Sequence, residues 1–214
     1  MTQQTVAVLT VDQRGSRRGA DEVPGLLALL NAPEHGPLLR RFERTAGDEV
    51  QGITADAAAT AALLELLLRR RGWNIGLGLG SVEQPLPRST RAGRGEAFVL
   101  AREAVTAAKQ APAHVCVVGA DAYRAEQLET VLWLWAGLLA RRSPRGWEVV
   151  ELLDAGLSHA EAGRRLGITQ SAVSQRAQAA AVVEGRRAAR LVTQLLGAVL
   201  GDHELEGDTT ERRR

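Results

Sequence analysis

Residues 147–181 read WEVVELLDAGLSHAEAGRRLGITQSAVSQRAQAAA and determine the organisation of the C-terminal third of the chain. Ser158, followed three residues later by Glu161, has the spacing of a capping box that starts a short helix. Gly167 suits the left-handed position at the end of that helix. Thr169 is the predicted N-cap of the next helix. With the amphipathic run before Gly156, the stretch predicts three short helices joined by tight turns.

The second and third of these helices have the pattern of a helix-turn-helix. Small side chains at Ala162 and Gly163 allow two helices to cross closely, and apolar Leu166, Ile168 and Val173 supply the seam between them. In this motif the later helix enters the major groove with its N-terminal residues on base edges. The pattern therefore predicts double-stranded DNA as a partner, and a helix pair that contacts only protein is the alternative.

The expected DNA contacts fall into two classes. Side chains on the exposed positions of the last helix are expected to read bases, because glutamine pairs bidentately with adenine and serine serves several bases. These side chains are Gln170, Ser171, Ser174 and Gln175. The arginines Arg164, Arg165 and Arg176, with the Thr169 hydroxyl, are expected to hold phosphates and set the register.

The distribution of charge along the chain supports DNA binding more than the net charge does. The formal net charge is only +2, which alone does not indicate nucleic acid. Between residues 164 and 190, however, six arginines stand against the single acidic residue Glu184. Such a local excess attracts a phosphate backbone, although a solvated arginine face would have the same composition.

The segment LGITQSAVSQRA, residues 166–177, resembles the matching stretch of phage Cro-type repressors and of many bacterial regulators. After it, Leu191, Val192, Leu195, Leu196 and Val199 form an apolar stripe at helical spacing. We expect a homodimer, because helix-turn-helix proteins usually read two half-sites. The stripe predicts either a dimerisation helix or a helix that packs back on its own domain.

The N-terminal part alternates strands and helices. The predicted strands are TVAVLTV (5–11), two extended stretches flanking the Gly47-Asp48 turn, WNIGLGLGSV (73–82) and HVCVVG (114–119). The predicted helices are residues 22–30, 36–41, 56–70 and 96–109. The glycines that alternate along WNIGLGLG indicate a strand on which another element packs closely. The order predicts an α+β fold, with a ferredoxin-like (nucleotide-cyclase-like) N-terminal domain followed by an all-α helix-turn-helix domain.

Four segments follow from these patterns. Residues 1–121 form the α+β domain, 122–142 a connecting helix, 143–200 the DNA-binding domain and 201–214 a disordered tail. The connecting helix is apolar nearly all round, which is typical of a buried helix. Its Trp133 and Trp135 are expected to pack between domains or between subunits.

Two stretches of the N-terminal domain, LTVDQRGSR (9–17) and GDEVQG (47–52), resemble the SatD family, whose domains are similar to the nucleotide cyclase and GGDEF fold. The resemblance implies that Asp12 and Asp48, with Glu49 beside the second, hold Mg²⁺. It also implies a nucleotide effector whose phosphates meet the loop between the first strand and the first helix. The loop residues concerned are Arg14, Gly15, Ser16 and Arg17. Neither ligand is expected to be a required cofactor.

The residues leave two hypotheses for this domain: a nucleotide sensor, or a scaffold in which Asp12 and Asp48 only form turns and caps. The stretch from Gly95 to Arg102 follows the cyclase pattern only in part, because Val99 stands where those enzymes carry a transition-state asparagine and the arginine is displaced by one position. We therefore expect no enzymatic activity. The alternative is a metal-dependent nucleotide cyclase or related nucleotide-processing enzyme with a helix-turn-helix appendage.

Composition excludes several other classes. Cys116 is the only cysteine, so neither a disulfide framework nor a cysteine-rich zinc site is expected, and a buried inert thiol is predicted. The four histidines are not paired at metal-ligand spacing. No apolar run is long enough for a membrane span, and the N-terminus lacks a signal-peptide pattern. We expect a cytoplasmic protein that does not contact membranes.

Overall fold

The structure is a computed structural model that describes residues 5–17 and 19–201. Apart from Gly201, the tail predicted over 201–214 lies outside the described residues. Within the described residues the chain is a mixed α/β protein with one five-stranded sheet and eight α-helices. Among those helices, none combines the length and the apolar character needed to span a bilayer.

The strands are β1 (Thr5–Gln13), β2 (Arg40–Ala46), β3 (Glu49–Thr54), β4 (Trp73–Ser81) and β5 (Val115–Gly119). The helices are α1 (Val23–Leu30), α2 (Ala57–Arg70), α3 (Glu96–Ala108), α4 (Ala122–Ala140), α5 (Pro144–Asp154), α6 (His159–Leu166), α7 (Gln170–Ala179) and α8 (Val182–Leu200). The predicted alternation of strands and helices is confirmed. The helix predicted over 36–41 is wrong: a 3₁₀ helix covers Pro33–His35, and β2 begins at Arg40. The segment joins the sheet instead, since the Leu39 N–H donates to the Ile53 carbonyl at 2.8 Å and Arg40 pairs with Ile53 of β3.

The sheet has the strand order β2-β3-β1-β4-β5. β1 is central and pairs antiparallel with both β3 and β4, and β5 joins β4 in parallel. Side chains of β1 are buried on both faces because Leu9 faces the core under α1, α2 and α4, while Val8 faces the core under α3. The continuous apolar run that predicted a buried strand reflects this position.

The glycines of β4 face α3, as the sequence pattern predicts. A Cβ at Gly76 would lie 2.2 Å from the backbone nitrogen of Val105, and one at Gly78 would lie 2.3 Å from that of Ala101. Any side chain at these positions would push α3 off the sheet. The absence of Cβ atoms therefore sets how closely α3 approaches, which in turn positions the residues at the C-terminal end of α3.

Helix α4 differs from the prediction of a fully buried helix. Trp135 is buried in the main core, and Trp133 donates from Nε1 to the Val115 carbonyl at 2.9 Å. One stripe nevertheless faces outward, where Tyr123 is 70% and Leu134 is 72% exposed. Within the described residues its main neighbours are β5, α2 and α8, and they leave the outward stripe uncovered.

Helix α8 returns from the C-terminal helices to the main core. Val192, Leu196 and Leu200 are buried in the same apolar cluster as residues of α2 and α4. Arg142 at the end of α4 donates from Nε to the carbonyl of Ala180, just before α8, at 2.9 Å. Of the two interpretations of the apolar stripe, the structure favours packing within the chain.

Candidate functional site

Helices α5, α6 and α7 enclose a small apolar cluster of their own. Ser143 accepts a hydrogen bond from the Gly146 N–H at 3.1 Å and caps α5. Ser158 and Glu161 form both hydrogen bonds of the predicted capping box at the start of α6. The hydrogen bonds from Ser158 also hold the pKa of the Glu161 carboxyl below its usual value. Each helix begins where local side-chain chemistry predicts.

The turn from α6 to α7 is held by backbone contacts at a glycine. Gly167 ends α6 with a φ of 66°, and the Ile168 N–H donates to the Gly163 carbonyl at 3.0 Å. A Cβ on Gly163 would lie 2.8 Å from the Ile168 carbonyl oxygen. The Thr169 hydroxyl accepts from the Ala172 N–H at 3.1 Å and caps α7. The turn therefore presents α7 at one defined angle to α6.

One face of α7 is packed and the opposite face is open. Val173 and Ala177 are buried against α5 and α6. All four predicted base-reading side chains are exposed, and so is Gln178, which the sequence interpretation missed. Residues 171, 174, 175 and 178 follow the spacing of one helix face, so that spacing could have identified Gln178. Ser174 lies at one border of this face, where its Oγ is 3.3 Å from Nδ1 of His159.

The predicted phosphate-binding arginines are not equivalent. Arg164 and Arg165 are exposed in the last turn of α6 and have no ion pair within the described part of the chain. Arg176 lies on the border of the packed face, with Nη1 4.0 Å from a carboxylate oxygen of Glu148. Arg186 on α8 is already bound to Asp154 at 2.8 Å. The structure thus leaves Arg164 and Arg165 as the most available cations beside the start of α7.

The three-helix unit is attached to the sheet through Trp147 of α5. The guanidinium groups of Arg69 and Arg142 lie 4.2 and 4.6 Å from its ring centroid, one from α2 and one from the segment after α4. Arg69 also forms an ion pair with Glu151 of α5. Burial raises the pKa of the neighbouring Glu65 carboxyl. Aromatic stacking and partly buried charges therefore join the two parts.

A second candidate site is a cleft of about 810 Å³ at the carboxyl end of β1. It brings together Asp12 with Asp48 of the β2–β3 turn and the loop 14–17, as the family resemblance implies. Besides Gln13 at the end of β1, the sequence interpretation missed three lining residues from other segments, Asn74, Lys109 and His114. Each comes from a distant segment, so no local pattern could have connected them.

Within this cleft the carboxylates already have partners. Asp12 Oδ2 accepts from Asn74 Nδ2 at 3.0 Å and lies 3.6 Å from Nζ of Lys109. Asp48 accepts a hydrogen bond from the Ser16 hydroxyl.

Glu49, the third residue that the resemblance assigns to the metal, is engaged elsewhere. It accepts from the Thr45 hydroxyl at 2.6 Å, lies 3.4 Å from Arg102, and is not among the cleft residues. Across residues 5–17 and 19–201, no group of three His, Cys, Asp or Glu side chains could hold a metal ion.

Other residues of chemical interest lie apart from the cleft. Val99 is 68% exposed on α3 and is not a cleft residue. Burial, with a smaller effect from Glu129, raises the pKa of the Cys116 thiol to about 12, so it stays protonated and unreactive near neutral pH.

Comparison of the chain with protein-family models, curated proteins and solved structures finds no match. The resemblance to the SatD family therefore rests on the two quoted stretches.

Proposed function

We propose that this protein is a cytoplasmic, DNA-binding transcriptional regulator in which α7 reads the major groove. The observation that carries the proposal is the open face of α7, on which every polar side chain is an uncharged glutamine or serine. A solvated helix face in a protein with 24% charged residues usually carries charges. Amides and hydroxyls instead match the donor and acceptor pattern of base edges.

The size of α7 fits this role. The helix has ten residues and is about 15 Å long at about 1.5 Å per residue. That length covers about four base-pair steps of about 3.4 Å each. Gln170, Gln175 and Gln178 are spread along it, and each can pair bidentately with an adenine. We therefore expect a short half-site that contains A·T pairs.

The positions of the cations support the same proposal. Arg164 and Arg165 stand in the last turn of α6, immediately before the turn that presents α7. In a helix-turn-helix the first helix crosses the phosphate backbone, and these residues would then set the register of α7. The α6–α7 turn, held by the hydrogen bond from the Ile168 N–H to the Gly163 carbonyl, suits a motif whose reading helix must keep one orientation.

The sheet is proposed as the sensing part of the regulator. The antiparallel order β2-β3-β1-β4, with helices between the strands, supports a ferredoxin-like assignment for the first four strands. The α2–β4 turn connects the cleft at the end of β1 to the C-terminal end of α4. There, Arg14 donates its N–H to the Gly72 carbonyl at 2.8 Å, and the Arg71 guanidinium donates to the Ala140 carbonyl at the end of α4.

A homodimer remains part of the proposal, because one motif per chain reads only one half-site. Val192 and Leu196 are buried within the chain, so the dimer surface would have to lie elsewhere. Sedimentation of the protein with a two-half-site duplex tests this, since two chains per duplex are expected and one chain per duplex contradicts it.

The expectation that the chain is not an enzyme also stays a prediction. Incubation with Mg²⁺, Mn²⁺ and each nucleoside triphosphate checks it.

The test of DNA binding begins with selection of duplexes from a random pool, followed by affinity measurements. Gln178→Ala is expected to cost about 1–3 kcal/mol on the selected duplex and much less on random duplex. Gln194→Ala, at an exposed glutamine of α8, is the matched control and should change neither affinity. Failure to enrich any sequence, or equal losses on both duplexes, would reject α7 as the reading helix.

A further inference from the structure

We infer that the cleft at the carboxyl end of β1 binds a phosphate-bearing small molecule directly, without the metal ions that the family resemblance implies. This inference deepens the sensing role proposed for the sheet and rests on it. It concerns the class of ligand and the groups that hold it: Arg14, Arg17, the loop amides between them, Lys109 and His114.

The carboxylates of the cleft do not fit a pair of Mg²⁺ ions. Lys109 Nζ lies 3.6 Å from Asp12, so a positive charge already stands where a metal would have to approach. Ser16 donates to Asp48, and Arg102 lies 3.4 Å from Glu49. A cation entering here would meet ammonium and guanidinium groups and would have to displace hydrogen bonds from both aspartates.

Donors in the same cleft lack acceptors. Arg14 and Arg17 are exposed and have no ion pair among the described residues. The backbone N–H groups of Gly15, Ser16 and Arg17 find no acceptor within residues 5–17 and 19–201. Gly15 has a φ of 69°, a conformation that turns successive amides toward one side and is common in anion-binding loops. Two guanidinium groups and three amides can together surround a tetrahedral anion.

Another lining residue of the cleft, His114, gives an independent sign of a ligand. Nδ1 of His114 is buried without a hydrogen-bond partner in the described structure, and the residue lines the cleft. Its φ of 56° and the 54° of Ala113 place two consecutive non-glycine residues in the left-handed region. Such backbone is unfavourable for residues with a Cβ and is typical of sites that hold a ligand.

The charge and the volume of the cleft indicate which class of ligand it can bind. Arg14, Arg17 and Lys109 give three positive charges against Asp12 and Asp48, and Lys109 is largely used by Asp12. The free positive charge is therefore concentrated on the loop, where an anionic group would bind. The cleft volume of about 810 Å³ lies in the range of small-molecule sites. This volume is much larger than inorganic phosphate needs. A phosphate ester or anhydride with an organic part fits both observations.

Isothermal titration of the full chain with pyrophosphate and with ATP, in the absence of DNA, tests this inference. Both probes are titrated once with EDTA in excess and once with excess Mg²⁺. We expect binding with EDTA that is at least as tight as with Mg²⁺. Arg14→Gln and Arg17→Gln should each weaken it about tenfold or more, since each removes a charge-assisted hydrogen bond. Arg88→Gln, at an exposed arginine outside the cleft, is the matched control.

A second variant separates recognition from folding. His114→Asn replaces the imidazole with a smaller polar amide and is expected to weaken binding while the far-ultraviolet circular dichroism stays that of the wild type. Binding that requires Mg²⁺, binding that the two loop variants leave unchanged, or no heat with either probe would overturn the inference. Because DNA is absent, failure of the proposed DNA-binding function would leave this result intact.

Discussion

Gly163→Ala is the sharpest test of how α6 and α7 are held together. The added Cβ would lie 2.8 Å from the Ile168 carbonyl oxygen and 3.4 Å from the Gln170 nitrogen, both backbone atoms that cannot rotate away. Overpacking of this kind costs about 1–3 kcal/mol. Alanine also gains about 1 kcal/mol over glycine in a helix interior. We expect a net loss of up to about 2 kcal/mol, carried by the α5–α7 unit.

Gly137→Ala is the matched control for this change. Gly137 lies in the interior of α4 and is exposed, with no atom within 4 Å of its added Cβ. The same substitution should there increase the free energy of unfolding by about 0.5–1 kcal/mol. Urea unfolding followed by circular dichroism compares the two variants, and hydrogen exchange shows which helices open. The expected changes have opposite signs.

DNA affinity provides a second measurement on the same pair. Gly163 has no expected contact with DNA, so weaker binding by Gly163→Ala would come from a displaced α7. Gly137→Ala should bind as the wild type does. If Gly163→Ala is as stable as Gly137→Ala, the close contact at the α6–α7 turn does not limit packing. That outcome would refute the proposed role of the α6–α7 turn in orienting α7.

Three further perturbations test other contacts. The double change Arg164→Gln and Arg165→Gln should lower the slope of log affinity against log salt by about 2, because each phosphate contact contributes about 0.9. An unchanged slope would show that neither arginine contacts a phosphate. Trp147→Leu removes the ring that Arg69 stacks on and should destabilise the α5–α7 unit by about 2 kcal/mol, seen as faster hydrogen exchange in those helices but not in the sheet. Burial raises the pKa of the Glu65 carboxyl. The folded chain therefore loses stability as the pH rises through the folded-state pKa of this carboxyl. Glu65→Gln should accordingly increase the free energy of unfolding at neutral pH. That gain should disappear below the ordinary pKa of 4.5, where the carboxyl is protonated in both states, and thermal melts of both proteins across this range check it.

Much of the helical C-terminal part is predictable from the sequence because its signals are local. Ser158 and Glu161 form the capping box that their spacing predicts, and Gly167 adopts the left-handed conformation. These features depend on residues within one turn of each other, so no distant contact can change them easily. The same holds for the β4 glycines, whose spacing predicted a closely packed neighbour without identifying it as α3.

The interpretation was incomplete where contacts cross long distances in the chain. Lys109 meets Asp12 only because α3 packs closely on β4, and His114 reaches the cleft from the segment before β5. Neither residue carries a local signal of a site. Likewise, the exposed stripe of α4 follows from which neighbours cover that helix, whereas its composition alone indicated full burial.

The sequence alone determined where α6 and α7 begin and which apolar side chains form the seam between them, because caps, turns and periodicity act over a few residues. Only the tertiary structure decided where α8 packs, and which side chains pair with the two aspartates of the cleft. The physical reason is that these pairings follow from burial of apolar surface across the whole chain. A carboxylate can bind a metal or accept from a lysine, and the choice depends on which distant side chain the packed core brings beside it.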